Sequence, residues 1–87
     1  MPKIKITEFG DKHCPPCISQ KKIMKKLRAK HKDWAIKEVD VAKNGDIAEK
    51  NNVKSIPTFI VEKGGKKKRW SGGPVGVKEM EKIVGGM

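Results

Sequence analysis

Cys14-Pro15-Pro16-Cys17 sets two thiols three positions apart, a spacing that suits either closure into a small disulfide ring or a grip on one metal ion. A closed zinc site wants four ligands. Beyond Cys14, Cys17 and His13 the only other histidine is His31, toward the far end of the helix that should follow, so the ligand count falls short and no metal site is expected. Thiol-disulfide exchange needs one exposed, readily ionised thiol and a second close enough to displace the partner from a mixed disulfide. With Cys14 as a helix N-cap, Pro15 and Pro16 take the first two helical positions and Cys17 the third. The Cys17 backbone N–H could then donate to the Cys14 sulfur, and the helix dipole would favour a thiolate there. The two prolines stiffen the ring but withdraw two N–H donors from that thiolate. His13 and Lys12 add positive charge beside it.

Elements that could hold such a pair are legible on both sides. Ile4 and Ile6 alternate with Lys3 and Lys5 and lead into Phe9-Gly10, which reads as a strand over 3–9. Residues 15–31 read as a helix with Cys17, Ile23, Met24 and Leu27 on one side and a strongly basic opposite face. A second strand is expected over 35–41. Asn44-Gly45 then turns the chain, and Asp46 with Glu49 resembles a capping pair for a short helix to about Asn51. Ile56-Pro57-Thr58-Phe59-Ile60-Val61 reads as a third strand, Gly64-Gly65 as a hairpin turn and 66–71 as a lysine-rich fourth strand. Val77, Met80, Ile83 and Val84 mark a final helix. The order β-α-β-α-β-β-α implies an α/β fold, a four-stranded mixed sheet with helices on both faces. Phe9 and Phe59 are expected in its core, with Trp34 and Trp70 as packing residues at the core's edge.

At 87 residues, 1–87 is expected to be one domain, since a second would not fit. Hydrophobic and charged residues are each 36% of the chain, and the clear periodicities argue for a folded globular domain despite that polar balance. The net charge of +11 raises the question of acidic or nucleic-acid partners. The run Lys66-Lys67-Lys68-Arg69 nevertheless reads as an edge strand protected by charge, with only Trp70 near it to stack on a base. No apolar leader opens at Met1-Pro2-Lys3 and no stretch could span a bilayer, so the expected setting is cytoplasmic, with no membrane contact. Thiols are held reduced there, and a Cys-x-x-Cys pair is more often catalytic than a structural staple.

Glu8-Phe9, Cys14-Pro15-Pro16-Cys17, Ser55-Ile56-Pro57-Thr58 and Gly72, in this order, resemble the thioredoxin and glutaredoxin superfamily over almost the whole chain. The chain looks like a short member without the extra N-terminal strand and helix of full-length thioredoxins. The resemblance implies a thioredoxin fold and a monomeric thiol-disulfide oxidoreductase that reduces protein disulfides and serves electron transport and cell redox homeostasis. Cys14 would be the nucleophile and Cys17 the resolving thiol. Glu8, where thioredoxins usually have Asp, would be a buried carboxylate that takes the Cys17 proton. Pro57 would follow a cis peptide bond beside the cysteines, leaving the Ile56 backbone open to an extended substrate. Gly72 would allow close approach, and His13, Pro15 and Pro16 would line the substrate side. His13 replaces the family tryptophan before the first cysteine, which removes an apolar platform. The lysine that commonly partners the buried carboxylate aligns with Ile36, while Lys37 should face the other way. No cofactor is implied beyond a Cys14–Cys17 disulfide recharged by an external reductant, either a thioredoxin-reductase-like donor or glutathione. The alternatives are glutaredoxin-type reduction of glutathione mixed disulfides and, outside redox chemistry, a nucleic-acid or metal-binding module on the same fold.

Overall fold

The alternation of Ile4 and Ile6 forms a strand, β1, over Ile4–Gly10 in the computed structural model, which describes residues 3–87. Residues 1 and 2, where the search for a leader begins, lie outside the described residues. Six further elements follow: α1 (Pro15–Lys30), β2 (Ala35–Asp40), α2 (Gly45–Lys50), β3 (Thr58–Lys63), β4 (Lys66–Ser71) and α3 (Val77–Gly85). The sheet order is β2-β1-β3-β4, with β1 parallel to β2 and antiparallel to β3, and β3 antiparallel to β4. This is the expected thioredoxin fold with its four-stranded mixed sheet.

Successive residues of a strand face opposite sides, so each central strand feeds two cores. On one face Ile6, Phe59 and Val61 pack with Met24 and Leu27 of α1 and Met80 and Val84 of α3. On the other, Phe9, Val39 and Ile60 pack with Ala48 of α2. Trp70 stacks on Phe59 with ring centroids 5.1 Å apart, and Trp34 stacks on His31 at 3.8 Å, so both tryptophans pack at the core's edge as expected.

Several details differ from the sequence reading. The third strand begins at Thr58 rather than Ile56, because Pro57 has no N–H and its carbonyl accepts the Gly72 N–H at 2.9 Å. The Asp46/Glu49 capping pair does not form. Asn44 is the N-cap of α2, and its side-chain amide bonds the Asp40 carbonyl at 3.1 Å instead of a helix donor. Helix α1 stops at Lys30, where the His31 N–H donates to the Leu27 carbonyl at 2.8 Å, and the second strand stops at Asp40.

The hairpin turn sits at Gly64 and Gly65, both with positive φ (+54° and +84°), as a tight turn between twisted strands requires. In β4, Lys66, Lys67 and Lys68 are exposed on the sheet edge. The Arg69 guanidinium leaves that edge to donate to the Asn51 and Asn52 carbonyls, tying β4 to the end of α2.

Candidate active site

Cys14 is the N-cap of α1, with Pro15 and Pro16 behind it in the first turn, and it is half-buried whereas Cys17 is buried. The expected donation from the Cys17 N–H to the Cys14 sulfur is absent, since no side-chain hydrogen bond caps this helix. Both thiols are free, with Cys14 the more accessible of the two. Burial, then the Cys14 side chain, push the Cys17 thiol up to about 12, against a contrary pull from the Asp11 backbone. At neutral pH Cys17 therefore stays protonated until a base takes its proton.

A buried carboxylate faces the same space. Glu8 comes up from β1 on the α1 side of the sheet and is buried, with 4% of its surface exposed. A β-carbon added to Gly10 would lie 2.6 Å from the Glu8 Oε2 and 3.3 Å from the Cys17 Sγ, so the carboxylate and the thiol share the space that the missing side chain leaves free. Burial and the neighbouring Glu38 carboxylate raise Glu8 to about 7, against the opposing charges of Lys21 and Arg28. Among the described residues its carboxylate makes no hydrogen bond, and it opens with Cys17 onto a cavity of about 530 Å³.

The charges around Glu8 differ from those of the family pattern. Its strand neighbour across β2 is Glu38, and Ile36 lies level with Ile6. Lys37 lies level with Thr7, one residue out of phase with Glu8, as its register predicted. The cations that act on Glu8 come from the helix, as Lys21 and Arg28, and the Arg28 guanidinium also pairs with Glu38 at 3.0 Å.

Pro57 is fully buried after a cis Ile56-Pro57 bond, as the resemblance implied. Ile56 precedes the ladder, and among the described residues its backbone N–H and C=O have no backbone partner. The loop before Pro57 is held by Thr58, whose hydroxyl donates to the Ser55 carbonyl at 2.6 Å and meets Ser71 Oγ at 3.1 Å. Gly72 is exposed at φ +100° with open space where a β-carbon would stand, and its N–H reaches the Pro57 carbonyl. His13 and Pro15 are exposed on the loop and first turn around Cys14.

Two residues that matter here were not singled out in the sequence. Gly10 is one. Gln20 is the other: fully buried on α1, it accepts the Val75 N–H at 2.6 Å and donates to the Val75 carbonyl at 3.0 Å, clamping the segment before α3 onto the active-site helix. A β-carbon on Gly73 would fall 2.9 Å from the Pro57 ring and 3.2 Å from the Gln20 Oε1, so that segment, with its own cis Gly73-Pro74 bond, packs tightly against Pro57. The signal for Gln20 was its spacing, since residues 17, 20, 24 and 27 form the buried stripe of α1.

A sheet of this order with a Cys-x-x-Cys pair at the head of α1 and an X-Pro bond opposite defines a thioredoxin-fold protein, and a sequence model of the thioredoxin family matches residues 2–85. The chain belongs to the thioredoxin family. It is similar to thioredoxin-2 of Saccharomyces cerevisiae, 34% identical over 64 residues, covering 74% of this chain and 62% of the yeast protein. It also resembles thioredoxin-1 of Caenorhabditis elegans, 38% identical over 63 residues, covering 72% of this chain and 55% of the nematode protein. The chain thus spans between half and two thirds of the length of these curated relatives. Among solved structures, a malarial protein superposes with a TM-score of 0.89 at 28% identity, covering 97% of this chain and 96% of the other.

Proposed function

We propose that this protein is a thiol-disulfide oxidoreductase that reduces protein disulfides through Cys14 and Cys17. The observation that carries this reading is the graded pair at the head of α1: a reachable thiol at Cys14, and behind it a buried thiol at Cys17 whose neighbour is a carboxylate able to accept its proton. The Cys14 thiolate attacks one sulfur of the substrate disulfide, forming a mixed disulfide and expelling the other sulfur as a thiolate. Glu8 then takes the Cys17 proton, and the Cys17 thiolate attacks the Cys14 sulfur, releasing the second substrate thiolate. The protein is left with a Cys14–Cys17 disulfide, and each turnover requires two electrons and two protons from an external donor, a thioredoxin-reductase-like enzyme or glutathione.

Substrate is held by the free Ile56 backbone edge, with Gly72 leaving room opposite and His13, Pro15 and Pro16 forming the near wall. The protein acts as a monomer in a reducing compartment, the cytoplasm. The test is insulin reduction with alkylation mapping. Iodoacetamide should label Cys14 ahead of Cys17, Cys14→Ser should lose activity, and Cys17→Ser should accumulate mixed disulfides with proteins. First labelling at Cys17, or a trap that gathers only glutathione, would replace this reading with a reversed assignment or a glutaredoxin one.

A further inference from the structure

Helix α1 carries six basic residues, Lys21, Lys22, Lys25, Lys26, Arg28 and Lys30, and no acid. Two of them are engaged: Arg28 pairs with Glu38, and Lys30 with Glu81, both at 3.0 Å. Among the described residues, Lys21, Lys22, Lys25 and Lys26 are exposed and have no ion-pair partner. Their spacing sets like charges at i,i+3 and i,i+4 (Lys21–Lys25, Lys22–Lys25, Lys22–Lys26), an arrangement that works against an isolated helix. On the opposite edge Arg69 binds the end of α2 and Lys66 reaches the Met87 carbonyl, while Lys67 and Lys68 are exposed far from the head of α1.

The unpaired lysines line up with the nucleophile. Counting helical turns from Cys14, Ile18 stands one turn along, Lys21 and Lys22 two, and Lys25 three, all on one flank and within about 16 Å of the cap along the helix axis. Ile18 is 48% exposed and is the only exposed large hydrophobic among the described residues. Together with Lys12 and Lys21 it forms one wall of the cavity beside Cys17. Of the acids lining this cavity, Asp11 accepts the His13 N–H and Asp40 the Ala42 N–H, both at 2.9 Å, and Glu38 holds Arg28, while Glu8 is buried at its inner end.

From this alignment we infer that the Lys21–Lys22–Lys25 flank of α1 is the docking surface for the protein substrate. It selects disulfides whose flanking segment carries acidic side chains and an apolar residue that rests on Ile18. This rests on the redox reading above and names its substrate class. A nucleic acid fits less well, because no aromatic ring is exposed along the stripe to stack on a base. Charge of one sign beside a reactive group steers an oppositely charged partner and fixes its register, so contact with the lysines and attack by Cys14 occur in one encounter.

The experiment compares kcat/KM for two disulfide-bridged peptides of one sequence, flanked in one case by Asp and Glu and in the other by Lys. At low ionic strength the acidic peptide should be reduced about tenfold faster, and most of that preference should vanish at roughly 0.5 M salt. The Lys22→Glu/Lys25→Glu variant, checked for native circular dichroism, should reverse the order. Equal rates for the two peptides at low salt, or a preference that survives the charge reversal, would overturn the docking surface while leaving the redox reading intact. Failure to reduce either peptide would remove the redox reading and this surface with it. Inhibition by a short DNA oligonucleotide at concentrations well below those at which the acidic peptide binds would reassign the lysines to nucleic acid and overturn the proposal.

Discussion

Two polar side chains are buried on the same side of the sheet beneath α1, and they could hardly be treated more differently. Gln20 is fully buried with its carbonyl and its amide matched to the two backbone groups of Val75. Glu8, on β1, is nearly as buried, makes no hydrogen bond among the described residues, faces a cavity and shares with the Cys17 thiol the space that Gly10 leaves free. A buried polar group that is fully paired holds structure; one left with a free lone pair beside a protonated nucleophile is equipped for proton transfer. The contrast separates what holds this fold together from what the fold is for.

Substituting Gln20 should therefore cost stability. Gln20→Leu keeps the volume but strands the Val75 N–H and C=O in the core, which should lower unfolding free energy by about 3 kcal/mol, measured by urea denaturation. The rate at which a mixed disulfide is resolved, compared where the variant is folded, should barely change.

Glu8→Gln should do the opposite, with a pH signature. The folded pKa of Glu8 is raised to about 7 from 4.5, so the folded state holds this proton more tightly than the unfolded chain does. Its contribution is most favourable below about pH 4.5 and is lost as pH rises through 7. The variant should match wild type near pH 4 and exceed it by about 2 kcal/mol at pH 8, allowing for solvent that reaches the carboxylate through the cavity. A constant difference across that range would mean that Glu8 is not a buried titrating acid.

Gly10→Ala sharpens the comparison at smaller cost. The new methyl falls 2.6 Å from the Glu8 Oε2, the mobile end of a long side chain, so the carboxylate should swing away rather than the strand distort. Stability should fall by only about 1 kcal/mol, while mixed-disulfide resolution slows several-fold because the base has moved off the thiol. A variant that loses stability but resolves at the wild-type rate would place the proton acceptor elsewhere.

The sequence carried the frame of this site further than its wiring. Strand alternation at Ile4 and Ile6, the glycine pair of the hairpin and the helical stripe through Met24 and Leu27 were all legible, because local periodicity decides them. Cys14 and Cys17 were marked by their spacing, and Glu8 and Pro57 by the resemblance to the thioredoxin superfamily. What stayed hidden depends on distance in space. The cations acting on Glu8 come from α1 because the crossover lays that helix over β1 and β2, and no spacing within one segment announces it. The expected Cys14 cap is absent, since the first turn of α1 carries no side-chain cap hydrogen bond. Gln20 went unremarked in the sequence because the partner that explains its burial, Val75, lies 55 residues away.

The most direct test is a stopped-flow measurement of the resolving step. A mixed disulfide is formed between Cys14 and a chromogenic thiol, and its release by Cys17 is followed from pH 5 to 9 in wild type and in Glu8→Gln. With a thiol held near 12 and a carboxylate titrating near 7, the wild-type rate should climb through pH 7 and level off. Glu8→Gln should be slower by at least about tenfold at pH 7.5 and should lack that inflection. A wild-type rate and an unchanged pH profile in the variant would contradict the assignment of Glu8 as the acceptor of the Cys17 proton.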